Sequence, residues 1–185
     1  MVCENADTLI YAALNGLKIF RSHLRCDKSR FMSSRQYWIG VASKAHVQIG
    51  LTNGIAQLNH GKEGPLKRMR PGDGFVYYSP KTDYPKGEQL QTFTAIGRVR
   101  DGEVFQVQQY EGFHPFRREV DYFLSSDAPI RPLLDSLTFI KNKQHWGATF
   151  RLGFLRIPEE DFALIANAMG RTFTVDFADG APKSF

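Results

Sequence analysis

Residues 69–80 constrain the fold more strongly than any other stretch of the chain. Pro71-Gly72-Asp73-Gly74 is typical of a tight turn, because proline fixes φ, glycine accepts positive φ and aspartate bonds its own backbone. The apolar and aromatic run Phe75-Val76-Tyr77-Tyr78 follows at once and predicts a buried strand, which Ser79-Pro80 ends. This strand would deliver two tyrosines and a serine to a sheet edge or a pocket mouth. The same residues also fit a core strand that follows a solvated basic turn.

Further strands alternate with short helices along the rest of the chain. Apolar and β-branched patterns predict strands over residues 36–42, 90–99, 104–108, 116–123 and 148–157. Capping residues and apolar spacing predict helices over residues 44–50, 65–69, 130–137 and 158–169. Asp101-Gly102 indicates a hairpin between two of the strands. Because repeated βαβ units are missing from this pattern, we predict an α+β fold: a small mixed β-barrel of about six strands with short peripheral helices.

A chain of 185 residues suits one domain. We assign it to residues 32–170, with 171–185 as a C-terminal tail. Residues 1–31 are predicted to be an N-terminal extension, either helical or disordered, and Met32 offers an alternative start of translation. Cys3 and Cys26 both fall in this extension, so neither a disulfide framework nor a thiolate metal site is expected in the main domain. We expect a cytoplasmic, reducing location.

Composition narrows the functional classes. No run of about 20 apolar residues occurs, so no membrane partner is expected. The net charge of +5 is modest, and nucleic-acid binding would therefore depend on a local basic patch. P-loop, dinucleotide-turn, nucleophile-elbow and metal-ligand patterns are missing, so we expect no cofactor, metal or catalytic residue.

Aromatic and amide side chains form one group of candidate ligand contacts. A base flipped out of its stack needs aromatic walls and hydrogen bonds to its edge. Candidate walls from different segments are Trp38, Tyr77, Tyr78, Phe93 and Trp146, and candidate edge readers are Ser43, Asn53, Gln57 and Ser79. The aromatic residues also fit an ordinary core.

Basic side chains form the second group. Cations beside such a pocket would contact phosphates. The candidates are Lys62, Lys67, Arg68, Arg70, Arg117, Arg118, Lys141, Lys143 and Arg151. Each of them also fits a solvated surface position.

The order of several motifs resembles the EVE domain family. The first are Tyr37-Trp38-Ile39-Gly40-Val41-Ala42-Ser43, His60-Gly61-Lys62, Met69-Arg70-Pro71-Gly72-Asp73 and Tyr77-Tyr78-Ser79-Pro80. Further on are Phe93-Thr94-Ala95-Ile96-Gly97-Arg98-Val99, Arg117-Arg118-Glu119-Val120-Asp121-Tyr122, Phe150-Arg151-Leu152-Gly153 and Ile157-Pro158-Glu159-Glu160-Asp161-Phe162. The resemblance runs from about residue 36 to residue 169.

The resemblance implies a PUA-like fold related to YTH and ASCH domains. It also implies a pocket for a modified nucleobase, such as a methylated or hydroxymethylated cytosine in DNA or RNA, without chemistry on that base. Trp38 and the Tyr78-Ser79 strand end would lie at the pocket. Gly54, Gln57 and the His60-Gly61-Lys62 loop would lie near its rim.

Two other functions remain open at this stage. One is an ASCH-like hydrolase of a small modified nucleoside, with Lys62 and Glu63 as the candidate polarised pair. The other is a small-molecule or protein-interaction module that has kept the pocket.

Overall fold

The central pair of strands follows from the turn at residues 71–74. The computed structural model describes residues 35–177, and within them β1 (Tyr37–Val41) runs parallel to β3 (Gly74–Lys81). Asp73 holds the pair together, because its buried carboxylate accepts bonds from Gln36 N at 3.0 Å, Trp38 Nε1 at 2.8 Å and Arg70 N at 2.9 Å. The turn residue thus fixes β1 against β3.

The strands of the described region form one curled mixed sheet in the order β2-β6-β4-β3-β1-β8, with β5 on β6 and β7 on β4. The remaining strands are β2 (Ile55–Ala56), β4 (Gln89–Val99), β5 (Phe105–Gln106), β6 (Phe116–Tyr122), β7 (Ala128–Pro129) and β8 (Phe154–Ile157). The helices are α1 (Lys44–Asn53), α2 (Glu63–Arg68), α3 (Glu159–Ala168) and α4 (Phe173–Asp176), with 3₁₀ turns at Arg131–Leu133 and Trp146–Leu152. The predicted α+β class with a mixed, curled sheet and short helices is confirmed.

Both faces of the central sheet are buried. Side chains alternate along β1, so Tyr37 and Ile39 pack on the side of α3 while Trp38 packs with the opposite cluster. β3 alternates in the same way, with Phe75 and Tyr77 beside Trp38. Ligand contacts are therefore confined to strand ends and connecting loops.

Several local predictions are confirmed and others are wrong. Ser43 caps α1 as predicted, since its side chain accepts a bond from His46 N. The segment 148–157 is not one strand, because a 3₁₀ turn occupies Trp146–Leu152 before β8 begins. The Asp101-Gly102 hairpin is also wrong, because β5 pairs with β6 rather than with β4.

The C-terminal segment differs from the predicted tail over its described part. α4 occupies Phe173–Asp176, and Phe177 is fully buried in the cluster beside α3. The predicted extension at residues 1–31 lies outside the described residues, together with both cysteines. Within residues 35–177, none of the helices has the length and apolar composition that crossing a membrane requires.

Candidate functional site

A cavity of about 700 Å³ opens where β1 ends. Three chain segments supply most of its wall: residues 41–46 after β1, residues 57–62 after β2, and residues 150–153 before β8. The lining residues are Val41, Ala42, Ser43, His46, Gln57, Asn59, His60, Lys62, Pro80, Tyr84, Phe113, Phe150, Arg151, Leu152 and Gly153.

Backbone hydrogen bonds hold the β1 wall in place. Val41 N donates to Gly153 O at 2.9 Å, which joins the end of β1 to the segment before β8. Ala42 N donates to Tyr78 O at 3.2 Å and joins the same strand end to β3. Ser43 then caps α1, and this places Ser43 and His46 on one side of the cavity.

Gln57 lies beside His46 and is fixed there by both its backbone and its side chain. Its backbone N donates to the Tyr77 hydroxyl and its backbone O accepts from that hydroxyl, each at 3.1 Å. Its side-chain Oε1 accepts from Arg117 Nε at 3.0 Å, and Arg117 also donates to Gln109 Oε1 at 3.0 Å. Because a guanidinium has only donors, the amide oxygen must face Arg117. The amide nitrogen of Gln57 therefore has no partner among the described residues.

His46 completes this polar wall. Its Nε2 lies 3.4 Å from the backbone oxygen of Gln57. Burial lowers the pKa of His46, the contact with the Gln57 backbone oxygen offsets this only in part, and the nearby Arg117 and His60 lower the pKa further. The imidazole is therefore neutral near pH 7. A carbonyl only accepts, so the ring carries its proton on Nε2 and keeps Nδ1 as an acceptor.

The Asn59 side chain, in the loop after β2, lies close to Gly153 in the segment before β8. Asn59 and His60 have φ values of 46° and 59°, in the left-handed region. Gly153 has φ of 72°, and a Cβ there would lie 2.2 Å from Asn59 Oδ1. Only glycine fits this contact, so the two walls of the cavity meet directly.

Aromatic rings and two exposed cations line the cavity. Phe150 is 5% exposed and stacks on Tyr78 with ring centroids 4.0 Å apart. Tyr84 also lines the cavity, and its side chain is 76% exposed. Lys62 and Arg151 line the same cavity with exposed side chains.

Comparison with known proteins identifies the family. The EVE domain model matches residues 36–168. The chain belongs to the EVE domain family. The chain is 50% identical over 141 residues to the UPF0310 protein msl3206 of Mesorhizobium japonicum, covering 75% of this chain and 95% of that protein. It is 42% identical over 134 residues to the UPF0310 protein YdcG of Bacillus subtilis, covering 72% and 92%.

A solved structure shares the fold of this EVE domain. It is the YTH domain of the Zygosaccharomyces rouxii MRB1 protein in complex with N6-methyladenosine RNA. The TM-score is 0.50 at 12% sequence identity, and the match covers 74% of this chain and 88% of that one. The similarity to YTH domains that the resemblance implies is thus confirmed for the fold alone.

The EVE domain brings five of the predicted site residues together on the cavity wall: Ser43, Gln57, His60, Lys62 and Arg151. They come from all three main wall segments. The other predicted residues lie elsewhere, for reasons that differ from one residue to the next.

Trp38 is a core residue and does not line the cavity. It is 2% exposed, stacks on Phe154 at 4.9 Å and donates to Asp73. Because of its position in the β1 alternation, its indole packs in the core cluster on the face of the sheet opposite α3. Replacing Trp38 would therefore test folding rather than ligand contact.

The β3 residues lie behind the wall. Tyr77 is fully buried beneath Gln57, and burial raises the pKa of its hydroxyl. Tyr78 supports Phe150, while Ser79 is fully buried and shares a 2.7 Å hydrogen bond with Thr94. Pro80, the next residue, reaches the cavity instead.

The remaining predicted pocket residues have structural contacts. Gly54 ends α1 with φ of 62°. Trp146 is half-buried and packs edge-on against Tyr78 and Phe150. Phe93 is fully buried in the core, as the alternative interpretation expected.

The other predicted cations do not line the cavity, and most of them contact other side chains. Lys67 Nζ lies 2.9 Å from a carboxylate oxygen of Glu63, and the guanidinium of Arg68 lies over the Trp38 ring. Arg117 holds Gln57 from behind. Arg118 is 5% exposed, and burial lowers the pKa of its guanidinium, so it does not serve as a rim cation.

Sequence reasoning did not assign five polar or aromatic lining residues to the site: His46, Asn59, Tyr84, Phe113 and Phe150. Phe150 lies within the motif Phe150-Arg151-Leu152-Gly153, and Asn59 directly precedes His60-Gly61-Lys62. No sequence signal marks Tyr84 or Phe113, since loops that are distant in the chain bring them to the cavity.

Proposed function

We propose that this EVE domain binds nucleic acid without chemistry and takes a modified nucleobase, such as a methylated or hydroxymethylated cytosine, into the cavity at the end of β1. The observation that carries the proposal is one cavity of about 700 Å³ with aromatic rings and amide groups on its wall and cations at its mouth. A flipped base needs ring faces and edge partners, and its backbone needs cations.

Each part of the cavity has a role in this proposal. Tyr84 and Phe150 offer ring faces for stacking. Gln57 offers an amide N–H to an acceptor on the base edge, because Arg117 already engages its oxygen. Lys62 and Arg151 would contact the phosphates on either side of the base.

The shared fold supports a nucleic-acid partner. The YTH domain with this fold is seen in complex with N6-methyladenosine RNA. The strands used to test binding should therefore include RNA with a methylated adenine, in addition to RNA and DNA with methylated cytosine.

The position of Glu63 favours binding over hydrolysis. Hydrolysis of a nucleoside needs a polarised nucleophile or base beside the ligand. Lys62 lines the cavity, whereas the Glu63 carboxylate pairs with Lys67 and does not line it. The predicted Lys62–Glu63 pair is thus not assembled at the cavity.

The test is fluorescence anisotropy with the full chain and labelled single strands of about 10 nucleotides. RNA and DNA strands would carry 5-methylcytosine, 5-hydroxymethylcytosine, N6-methyladenine or no modification, each at two salt concentrations. We expect a preference for one modified base that persists at the higher salt concentration. Binding that collapses with salt and shows no preference would contradict a base-reading cavity.

Two pairs of variants locate the site. Tyr84→Ala should weaken binding by about 5- to 150-fold, the loss of about 1–3 kcal/mol of stacking, whereas Tyr84→Phe keeps the ring and should bind like the wild type. Lys62→Ala should reduce the salt dependence, whereas Lys141→Ala changes an exposed lysine outside the cavity and should not. Wild-type binding by Tyr84→Ala would place the base elsewhere.

A further inference from the structure

Three exposed arginines near β8 have no hydrogen-bond acceptor or ion-pair partner among residues 35–177. Among residues 35–177, the exposed arginines are Arg68, Arg70, Arg100, Arg131, Arg151 and Arg156. Arg100 pairs with Glu119 and Asp121, Arg131 donates to Gln91, and Arg70 also has an interaction partner. Within the described residues, Arg68, Arg151 and Arg156 make no hydrogen bond or ion pair. Of the other described arginines, Arg118 is buried, and each of the rest has at least one hydrogen bond, ion pair or other interaction partner, so this exposed group stands apart.

The three side chains follow one path, which we call the β8 arginine track (Arg151, Arg68 and Arg156). Arg151 lines the cavity three residues before β8 begins. The guanidinium of Arg68 lies 5.4 Å from the centroid of the Phe154 ring, at the start of β8. Arg156 is two residues beyond Phe154, so it projects from the same face of the sheet. The track therefore begins at the cavity and continues along this strand at the end of the sheet order.

Arg68 is held in position without using its donors. Its guanidinium also lies 5.1 Å from the centroid of the Trp38 ring, and the two rings beneath it are stacked and buried. Cation–π contacts of this kind restrict the side chain but leave the N–H groups open. A planar guanidinium with open N–H groups matches the geometry of a phosphate.

The spacing along α2 suits a strand that leaves the cavity. Lys62 lines the cavity and immediately precedes α2, which ends at Arg68. Six helical residues span roughly 9 Å at about 1.5 Å per residue. Cations therefore lie both at the cavity, at Lys62, and roughly 9 Å away along α2, at Arg68, where the nucleotides next to a bound base would pass.

We propose that the β8 arginine track binds the backbone phosphates of the nucleotides on one side of the base held in the cavity. The proposal rests on the proposed function, and it adds the path along which the strand leaves the cavity. Because the track lies at one side of the cavity, it would contact only the nucleotides on one side of the bound base.

Arg156→Ala tests this directly, since Arg156 is exposed and its side chain has no polar contact that folding would lose. The probes are single strands with 5-methylcytosine at the 5′ end, the centre or the 3′ end, in RNA and in DNA, and free 5-methylcytidine as a competitor. For the central strand we expect a several-fold loss of affinity and a salt-dependence slope smaller by about 0.7. Affinity for the free nucleoside should not change.

Arg68→Met is the second variant, because its side chain still covers the Trp38 ring. It should reproduce the loss seen with Arg156→Ala. Two of the strands carry 5-methylcytosine at one end. Of these two, only the strand whose remaining nucleotides lie on the track should lose affinity in these variants. Arg100→Ala is the matched control and should leave the slope unchanged, because its ion pairs lie outside the track.

The outcomes separate the two proposals. An unchanged slope in both Arg156→Ala and Arg68→Met, in strands that still respond to Tyr84→Ala, overturns the track and leaves the base-reading cavity standing. Equal losses of affinity for the strands with 5-methylcytosine at the 5′ end and at the 3′ end also overturn it, because that result would reflect a general charge effect. Wild-type protein that binds none of the strands overturns both proposals.

Discussion

Gln57→Glu is the sharpest test of how the cavity reads its ligand. The substitution keeps the shape of the side chain and keeps an oxygen for the 3.0 Å bond from Arg117 Nε. It replaces the amide nitrogen, the group left for the ligand, with a second oxygen. A ligand acceptor that received a hydrogen bond from Gln57 would then face a carboxylate.

The expected loss can be estimated from hydrogen-bond energies. A net hydrogen bond contributes about 0.5–1.5 kcal/mol, and an acceptor left without a donor in a partly buried site costs about 1–3 kcal/mol. The second range applies to Gln57→Glu, because the ligand's acceptor would lose its donor, and we take the middle of that range because Gln57 is half-buried. We expect a loss of about 2 kcal/mol, which is roughly a 30-fold weaker affinity.

Gln109→Glu is the matched control. Gln109 accepts from the same arginine at 3.0 Å but does not line the cavity of about 700 Å³. Both variants add one negative charge beside Arg117, so both repel the strand by a similar, salt-screened amount. Anisotropy titrations of the two variants with the preferred modified strand give the difference. Equal weakening by both would refute the view that Gln57 donates to the ligand.

Three further predictions concern stability, each measured by urea unfolding. Asp73→Ala should cost about 3–5 kcal/mol, because it leaves three donors in a buried turn without their charged acceptor; a loss below about 1 kcal/mol would contradict that role. Gly153→Ala should cost more than Gly72→Ala: both have positive φ, but only the Cβ at Gly153 would meet Asn59, and equal costs would mean that this contact relaxes freely. Burial lowers the pKa of His46, so the unfolded chain binds a proton at this histidine before the folded chain does, and the free energy of unfolding falls as pH drops below about 6.5. His46→Gln should therefore lose less stability than the wild type between about pH 7 and about pH 5. Identical losses would exclude His46 as the cause of the pH dependence.

Local sequence signals were sufficient where one element decides its own structure. The turn Pro71-Gly72-Asp73-Gly74 and the strand after it were predictable because proline, glycine and an apolar run favour one conformation each. The helix at Glu159–Ala168 was predictable from its acidic first turn and apolar face. The ordered motifs predicted the family, and the family model confirms it.

The cavity was harder to predict because its wall depends on tertiary packing. Trp38 is aromatic and near the site in sequence, but both faces of the sheet are buried, so an aromatic residue on β1 does not indicate a pocket. Phe150 fits a strand by propensity and instead lies in a 3₁₀ turn, where it stacks on Tyr78. The loops that carry Tyr84 and Phe113 reach the cavity only after the sheet has formed.

The pairing of β1 with both β3 and β8 has a consequence for biosynthesis. β1 is the first strand of the described sheet and β8 is the last, yet they lie side by side and jointly close the wall of the cavity. During translation β1 can pair with β3 early, but its other edge stays open until residues 150–157 have left the ribosome. A ligand that needs this wall will therefore stabilise only the finished domain. Ligand binding to nascent chains of increasing length would then report the moment at which folding is complete.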